Sequence, residues 1–205
     1  MASASSPPAG GVETFRRTLA VLGFRGVGKS SLLSSLLGRD FSEDYEPTVV
    51  ATHRHTLTMK GGRVRFDLKI VDTAGQDEFS TIPTEASLGV HGYILVFDVT
   101  SRTSFEKLRH INDKLLEAIG ADAVPRVVVA NKSDLRPDSA QQVSDAEGRE
   151  LAALIGCKLV ETSARTSENV EHLFETILRQ VEARTGLLDD DPAPAPKPGR
   201  ICAVL

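Results

Sequence analysis

Lys29 and Ser30 close the segment Gly23-Phe24-Arg25-Gly26-Val27-Gly28-Lys29-Ser30, which fits G-x-x-x-x-G-K-[ST]. Backbone N–H groups can close around an anion only where no Cβ stands in the way, and a following helix N-terminus adds positive partial charge. Gly23 and Gly28 supply that access. The spacing predicts a phosphate-binding loop for a nucleoside triphosphate, formed by Arg25, Gly26, Val27, Gly28, Lys29, Ser30 and Ser31. Lys29 would bridge the β- and γ-phosphates as a point charge and assist catalysis, and the Ser30 hydroxyl would ligate Mg²⁺.

Further clusters complete a nucleotide site. Asp72-Thr73-Ala74-Gly75-Gln76 follows an alternating strand, so the Asp72 carboxylate stands at a strand end, where it reaches Mg²⁺ through water. Gly75 would offer its N–H to the γ-phosphate, and Gln76 would orient the attacking water. Asn131-Lys132-Ser133-Asp134 follows an apolar run. Guanine presents two adjacent donors, N1–H and N2–H₂, that one carboxylate accepts together, whereas adenine has an acceptor at N1. Asp134 therefore selects guanine and opposes an ATP-using reading of the phosphate loop. Thr162-Ser163-Ala164 follows a further short strand, where the Ala164 N–H could meet guanine O6.

These clusters need strand ends to hold them. Leu19 to Leu22, Tyr93 to Phe97 and Val127 to Ala130 are short continuous apolar runs, the pattern of strands buried on both faces of a parallel sheet. Val64 to Ile70 alternates apolar and polar residues, and Gly61-Gly62 before it marks a turn. The stretch from about Ala51 to Met59 is thus predicted to pair antiparallel with it, as an edge strand. Phe105, Leu108, Ile111, Leu115 and Ile119 form one helical stripe, and Val170, Leu173, Phe174, Ile177, Leu178 and Val181 form another. Thr103 with Glu106 and Ser144 with Glu147 have capping-box spacing and mark expected helix starts. Alternating strands and helices imply an α/β fold, with ligand beyond the strand C-termini.

Composition narrows the rest. A chain of 205 residues supports one well-buried core. Its net charge of −4 argues against nucleic acid as the main partner. Two distant cysteines, Cys157 and Cys202, form neither a disulfide framework nor a metal quartet, and His53 and His55 on one strand face lack a third ligand. The division expected is a disordered leader over 1–16, a folded domain over 17–185, and a flexible tail over 186–205 that carries Asp189-Asp190-Asp191 and then a proline-rich stretch. Cys202-Ala203-Val204-Leu205 is a C-a-a-X box whose terminal leucine favours geranylgeranylation of Cys202. A prenyltransferase and membrane lipid are therefore expected partners. A single lipid without a second signal predicts reversible association with the cytosolic face of internal membranes, or with the plasma membrane, beside a cytosolic pool.

From about Thr18 to Arg184 these motifs resemble the small GTPases of the Ras superfamily. The resemblance implies a P-loop α/β domain with a mostly parallel six-stranded sheet, one antiparallel edge strand and helices on both faces. It also implies that Phe41 flanks the base, though Phe41 alone is equally compatible with core packing. In Tyr45-Glu46-Pro47-Thr48, Thr48 would close onto Mg²⁺ and γ-phosphate beside Tyr45, with switches near 42–52 and 74–85. Ala2 lacks the myristoylated glycine of Arf-like proteins, and Val71 stands where Rab-like proteins carry tryptophan. Phe24-Arg25, Gln76-Asp77-Glu78 and Gly89 to Tyr93 are most similar to the Rheb-like members of the Ras branch.

That similarity implies a monomeric, GAP-dependent GTP/GDP switch with an exchange factor and an effector. Arg25 stands where most of the branch has glycine. It would slow intrinsic hydrolysis and suit a tuberin-like GAP that supplies asparagine; the alternative for this long cationic side chain is to swing into solvent. Val49-Val50-Ala51-Thr52 departs from the polar effector loop of the branch and predicts a more apolar effector contact. The alternative is a constitutively GTP-bound, hydrolysis-poor scaffold tethered to membrane, against which Gln76 weighs.

Overall fold

Leu19, Ala20, Val21 and Leu22 are all buried, because strand β1 (Glu13–Gly23) has neighbours on both edges and helices on both faces. The computed structural model describes residues 12–42, 48–77, 80–136, 142–183 and 185–188. Within them β1 is followed by α1 (Lys29–Leu36), β2 (Val50–Met59), β3 (Val64–Thr73), β4 (Gly92–Asp98), α2 (Arg102–Ile119), β5 (Arg126–Asn131), α3 (Asp145–Leu154), β6 (Lys158–Thr162) and α4 (Val170–Glu182). The strands form one six-stranded sheet of order β2-β3-β1-β4-β5-β6. All pairings are parallel except β2 with β3. The expected antiparallel edge strand is thus β2, and its turn is a short 3₁₀ segment in which Gly61 and Gly62 have φ of 58° and 95°.

Period two along each central strand sends alternate residues to opposite cores. Leu19, Val21, Val127 and Val129 pack with Leu32 and Leu33 of α1 and with Leu173, Phe174 and Ile177 of α4. On the other face Ala20, Leu22, Leu95, Phe97 and Val128 pack with Leu108, Ile111 and Leu115 of α2 and Leu151 of α3. Both helical stripes read from the sequence are therefore core faces.

The helix starts divide. At Ser144 the capping box forms: Glu147 N–H donates to Ser144 Oγ at 3.3 Å, and Ser144 N–H donates to the Glu147 carboxylate at 2.9 Å. Thr103 does not begin α2. Ser101 caps it, accepting from Ser104 N–H at 3.3 Å, so the helix starts two residues earlier than the Thr103–Glu106 spacing suggests. The extended backbone of Ser101 gives its hydroxyl access to that donor, whereas Thr103 lies inside the first turn.

Both ends of the folded region also extend. β1 begins at Glu13, inside the expected leader, because Phe15 packs against Phe66 with ring centroids 6.0 Å apart. Past α4, Thr185 to Leu188 remain described, and Leu188 is buried in the α4-side core. One ion pair sets where α4 ends relative to β1: Arg17 donates from Nε and Nη2 to the two carboxylate oxygens of Glu182 at 2.5 and 3.0 Å. Glu182 is 1% exposed and accepts a further hydrogen bond from Thr185 Oγ1.

Removing one partner of such a pair leaves a buried charge without its counter-ion. Arg17→Met is expected to lower unfolding free energy by about 3 kcal/mol. Arg17→Met combined with Glu182→Leu should recover most of that loss, as measured by denaturant titration at constant m.

Candidate functional site

Five parallel-running strand ends converge on one edge of the sheet: Gly23, Thr73, Asp98, Asn131 and Thr162. The loops leaving these ends enclose a cavity of about 740 Å³. Gly26, Gly28, Lys29, Ser30 and Ser31 line it from the β1–α1 loop and α1. Thr48, Gly75, Asn131, Lys132, Asp134 and Ala164 line it from the other elements.

The phosphate-loop geometry follows from what Gly28 lacks. Its φ is 91°, and a Cβ there would stand 2.4 Å from Asn131 Nδ2. Glycine therefore lets the loop pass directly over the end of β5. Lys29 is 6% exposed, and its ammonium donates to the carbonyls of Gly23 and Phe24, both at 3.0 Å. Burial pulls its pKa down to about 8, and the nearby Asp72 carboxylate opposes that shift only in part.

Below the loop three oxygens meet. Ser30 Oγ donates to Asp72 Oδ2 at 2.6 Å and lies 3.0 Å from Thr48 Oγ1. The other Asp72 oxygen, Oδ1, is buried and has no hydrogen-bond partner among the described residues. Burial raises the Asp72 pKa, while the Ser30 hydrogen bond and the Lys29 charge lower it. Two hydroxyls and a carboxylate with an unpartnered buried oxygen form a donor set suited to a hard divalent cation.

At the far end the side chain of Asn131 joins three segments. Its Nδ2 donates to Val27 O at 2.8 Å, and its Oδ1 accepts from Thr162 Oγ1 at 3.1 Å and from the Ala164 N–H at 3.3 Å. Asp134 Oδ1 accepts from Ser163 Oγ at 2.6 Å, which orients the carboxylate without placing Ser163 in the cavity lining. Phe41 is 42% exposed on the cavity rim, not in the core, with the Arg165 guanidinium 5.9 Å from its ring centroid.

Several expected site residues stand elsewhere. Val27 is buried in the α1–α4 core. Arg25 does not line the cavity; its guanidinium lies 5.5 Å from the centroid of the Phe24 ring. Gln76 is 4% exposed and also outside the lining. Its N–H donates to Gly23 O at 3.1 Å, and both polar atoms of its side chain are buried with no partner among the described residues. Gly75 packs so closely on the phosphate loop that a Cβ would fall 2.5 Å from Arg25 Cα. Tyr45 and Cys202 lie outside the described residues.

Other residues escaped the sequence reading. Arg165 and Ser34 line the cavity. Their signals were position alone: Arg165 follows Ala164 directly, and Ser34 lies one helical turn beyond Ser30. Asp98 holds the Lys132 ammonium at 2.6 Å, a contact between two strand ends that no linear motif reports.

The family model of the Ras family matches residues 18–183. GTP-binding protein rhb1 of Schizosaccharomyces pombe is 42% identical over 92% of this chain and 96% of its own. Small monomeric GTPase RhbA of Aspergillus fumigatus is 44% identical, over 82% and 88%. Human GTP-binding protein Rheb is 38% identical, over 83% and 90%. With the family model spanning most of the chain and these relatives, 38–44% identical, covering 82–92% of it, the chain belongs to the Ras family and resembles Rheb.

Proposed function

We propose that this protein is a Rheb-like GTPase that binds GTP and GDP with Mg²⁺, hydrolyses GTP slowly and acts as a membrane-associated switch. The observation that carries the reading is the meeting, in one cavity, of Lys29, the Ser30–Thr48–Asp72 oxygen cluster and Asp134. Bound Mg²⁺ would supply charge neutralisation at the phosphates, and Ser30, Thr48 and Asp72 are the residues that would hold it. Lys29 contributes a buried ammonium already aimed into the loop that would carry the phosphates. Asp134 accepts from the two guanine donors, with Ser163 fixing its orientation. Phe41 and the Lys132 stem flank the base plane. Thr48 and Gly75 sit on the two segments that would respond to the γ-phosphate and relax after cleavage.

Slow hydrolysis rests on Gln76. A side chain that is to orient water must reach the cavity, and that of Gln76 is buried outside its lining. An intrinsic rate on the order of 10⁻⁴ s⁻¹ is expected, with acceleration by a GAP, a tuberin-like one by resemblance. Because Arg25 stacks on Phe24, Gln76 and not Arg25 is the feature we assign the slow rate to. The same burial of Gln76 favours a second reading, a scaffold that remains loaded with GTP. The nucleotide carried by protein isolated from cells separates them: GDP marks turnover and GTP marks the scaffold. Val49, 82% exposed beside Thr48, supports an effector contact more apolar than the branch norm. Exchange factor, GAP and effector are protein partners, the G domain acts as a monomer, and Cys202 is the lipid attachment point that takes the protein to the cytosolic face of endomembranes.

Calorimetry on nucleotide-free protein tests the base and the lysine together. GDP is expected to bind at least about 100-fold tighter than ADP, because a site built to accept the guanine donors is left unpaired by adenine. Comparable affinities would remove Asp134 from base selection. Phosphate binding requires charged Lys29, whose pKa in the free protein is about 8. Affinity should therefore be flat below pH 8 and fall above it, by up to about tenfold per pH unit, and Lys29→Met should abolish the slope.

In single-turnover assays Gln76→Leu is expected to keep the intrinsic rate within about threefold of wild type. A loss on the order of the 10²–10⁴-fold that a positioned catalytic group contributes would show that Gln76 reaches the water. Finally, Cys202→Ser should shift the protein from the membrane to the soluble fraction, and unchanged fractionation would refute lipidation at Cys202.

A further inference from the structure

Asp98 ends β4 directly beside Asn131, its register partner on β5, and it is 5% exposed. Every polar atom of this residue is engaged. Its N–H donates to Ser104 Oγ at 3.0 Å, and its carbonyl accepts from Ser101 N–H at 3.0 Å. Oδ1 accepts from Thr100 N–H and Thr100 Oγ1 at 2.8 and 2.7 Å, and Oδ2 holds the Lys132 ammonium at 2.6 Å. The capped start of α2 and the β4–α2 turn thus aim one carboxylate oxygen at Lys132.

Lys132 needs such an anchor. Its φ is 65°, a left-handed conformation that costs a non-glycine residue free energy and persists only where surroundings over-determine it. It lines the nucleotide cavity between Asn131 and Asp134. With the ammonium held by Asp98, the aliphatic stem is stretched between two fixed points and forms cavity wall.

We propose that Asp98 is a positioning residue that acts through Lys132 to set the lifetime of the bound nucleotide. The inference rests on the guanine-nucleotide reading above and adds to it a residue outside every nucleotide-binding motif in this chain. Ligand release requires the wall to loosen; the Asp98–Lys132 pair, with one partner buried, ties that wall to the β4–α2 turn.

Dissociation of fluorescently labelled GDP from the full-length protein, chased with excess unlabelled GDP in Mg²⁺, tests this. Asp98→Asn keeps shape and the Thr100 contacts but removes the charge, and should speed release about fivefold, the scale of a partly exposed ion pair. Lys132→Met retains the stem and drops the ammonium; adding Asp98→Asn to it should cause no further acceleration. A general structural role would instead add its own effect in both backgrounds, and additivity would overturn the proposal, as would a wild-type release rate in Asp98→Asn. Thr100→Val, which removes the hydroxyl donor to Oδ1 but keeps the backbone N–H donor and the charge, provides a second variant should Asp98→Asn not fold; about twofold faster release is expected, absent again in the Lys132→Met background. Unchanged release in Thr100→Val would then count against the proposal. Failure of the wild-type protein to retain labelled GDP would refute the guanine reading and the proposal with it, whereas retention with unaltered release in the variants refutes the proposal alone.

Discussion

The amide of Asn131 is the point on which the site depends. Fully buried at the end of β5, it donates to the phosphate loop at Val27 and accepts from Thr162 and Ala164 at the end of β6. One planar group with a donor end and an acceptor end thus sets the distance between the segment that would hold phosphates and the segment that would hold a base. Any carboxylate here would lose the donor, and any aliphatic side chain would leave three buried partners unsatisfied. The closeness of Gly28 to this amide is the same constraint seen from the other side: the loop can sit on Asn131 only because it has no Cβ to place there.

Electrostatics within the cavity are arranged in opposition. Burial drives Lys29 toward its neutral form and Asp72 toward its protonated form, and each partly restores the charge of the other. Lys29 satisfies its ammonium on loop carbonyls, while Asp72 leaves one oxygen without a partner. Such a site is held near the edge of its own desolvation cost, so that, on the proposed reading, a polyanion and a divalent cation entering together would meet groups already oriented and dehydrated.

The scaffold behind the cavity is a sheet with two cores, and its parallel order is what brings separate loops to one edge. β1 lies between β3 and β4, so the phosphate loop leaves the middle of the sheet while the Asp72 turn and the Asp98 turn leave on either side of it. Far from the site, Arg17 and Glu182 tie the same central strand to the last helix. Between these two ends, Leu19 to Leu22 of β1 are fully buried, which gives the loop at Gly23 a rigid base.

Much of this was legible in the linear order of residues. Continuous apolar runs identified β1, β4 and β5, strict alternation with a Gly61-Gly62 turn identified the β2–β3 hairpin, and helical stripes identified the core faces of α2 and α4. These are local properties, because strand and helix periods are written into neighbouring positions. The phosphate loop, the Asp72 turn and the Asn131–Asp134 segment were equally readable, since each carries its chemistry within a few consecutive residues. Contacts between segments decided the rest. That Ser101 and not Thr103 caps α2 depended on which hydroxyl met a free N–H, and Gln76 is buried where its N–H meets the Gly23 carbonyl, a contact between separate segments. The pairing of Asp98 with Lys132 required two strand ends to become neighbours. Residue types and spacing determined which groups this protein has for holding a nucleotide; only tertiary packing decided which of them face it, because orientation and burial arise from residues far apart in the chain.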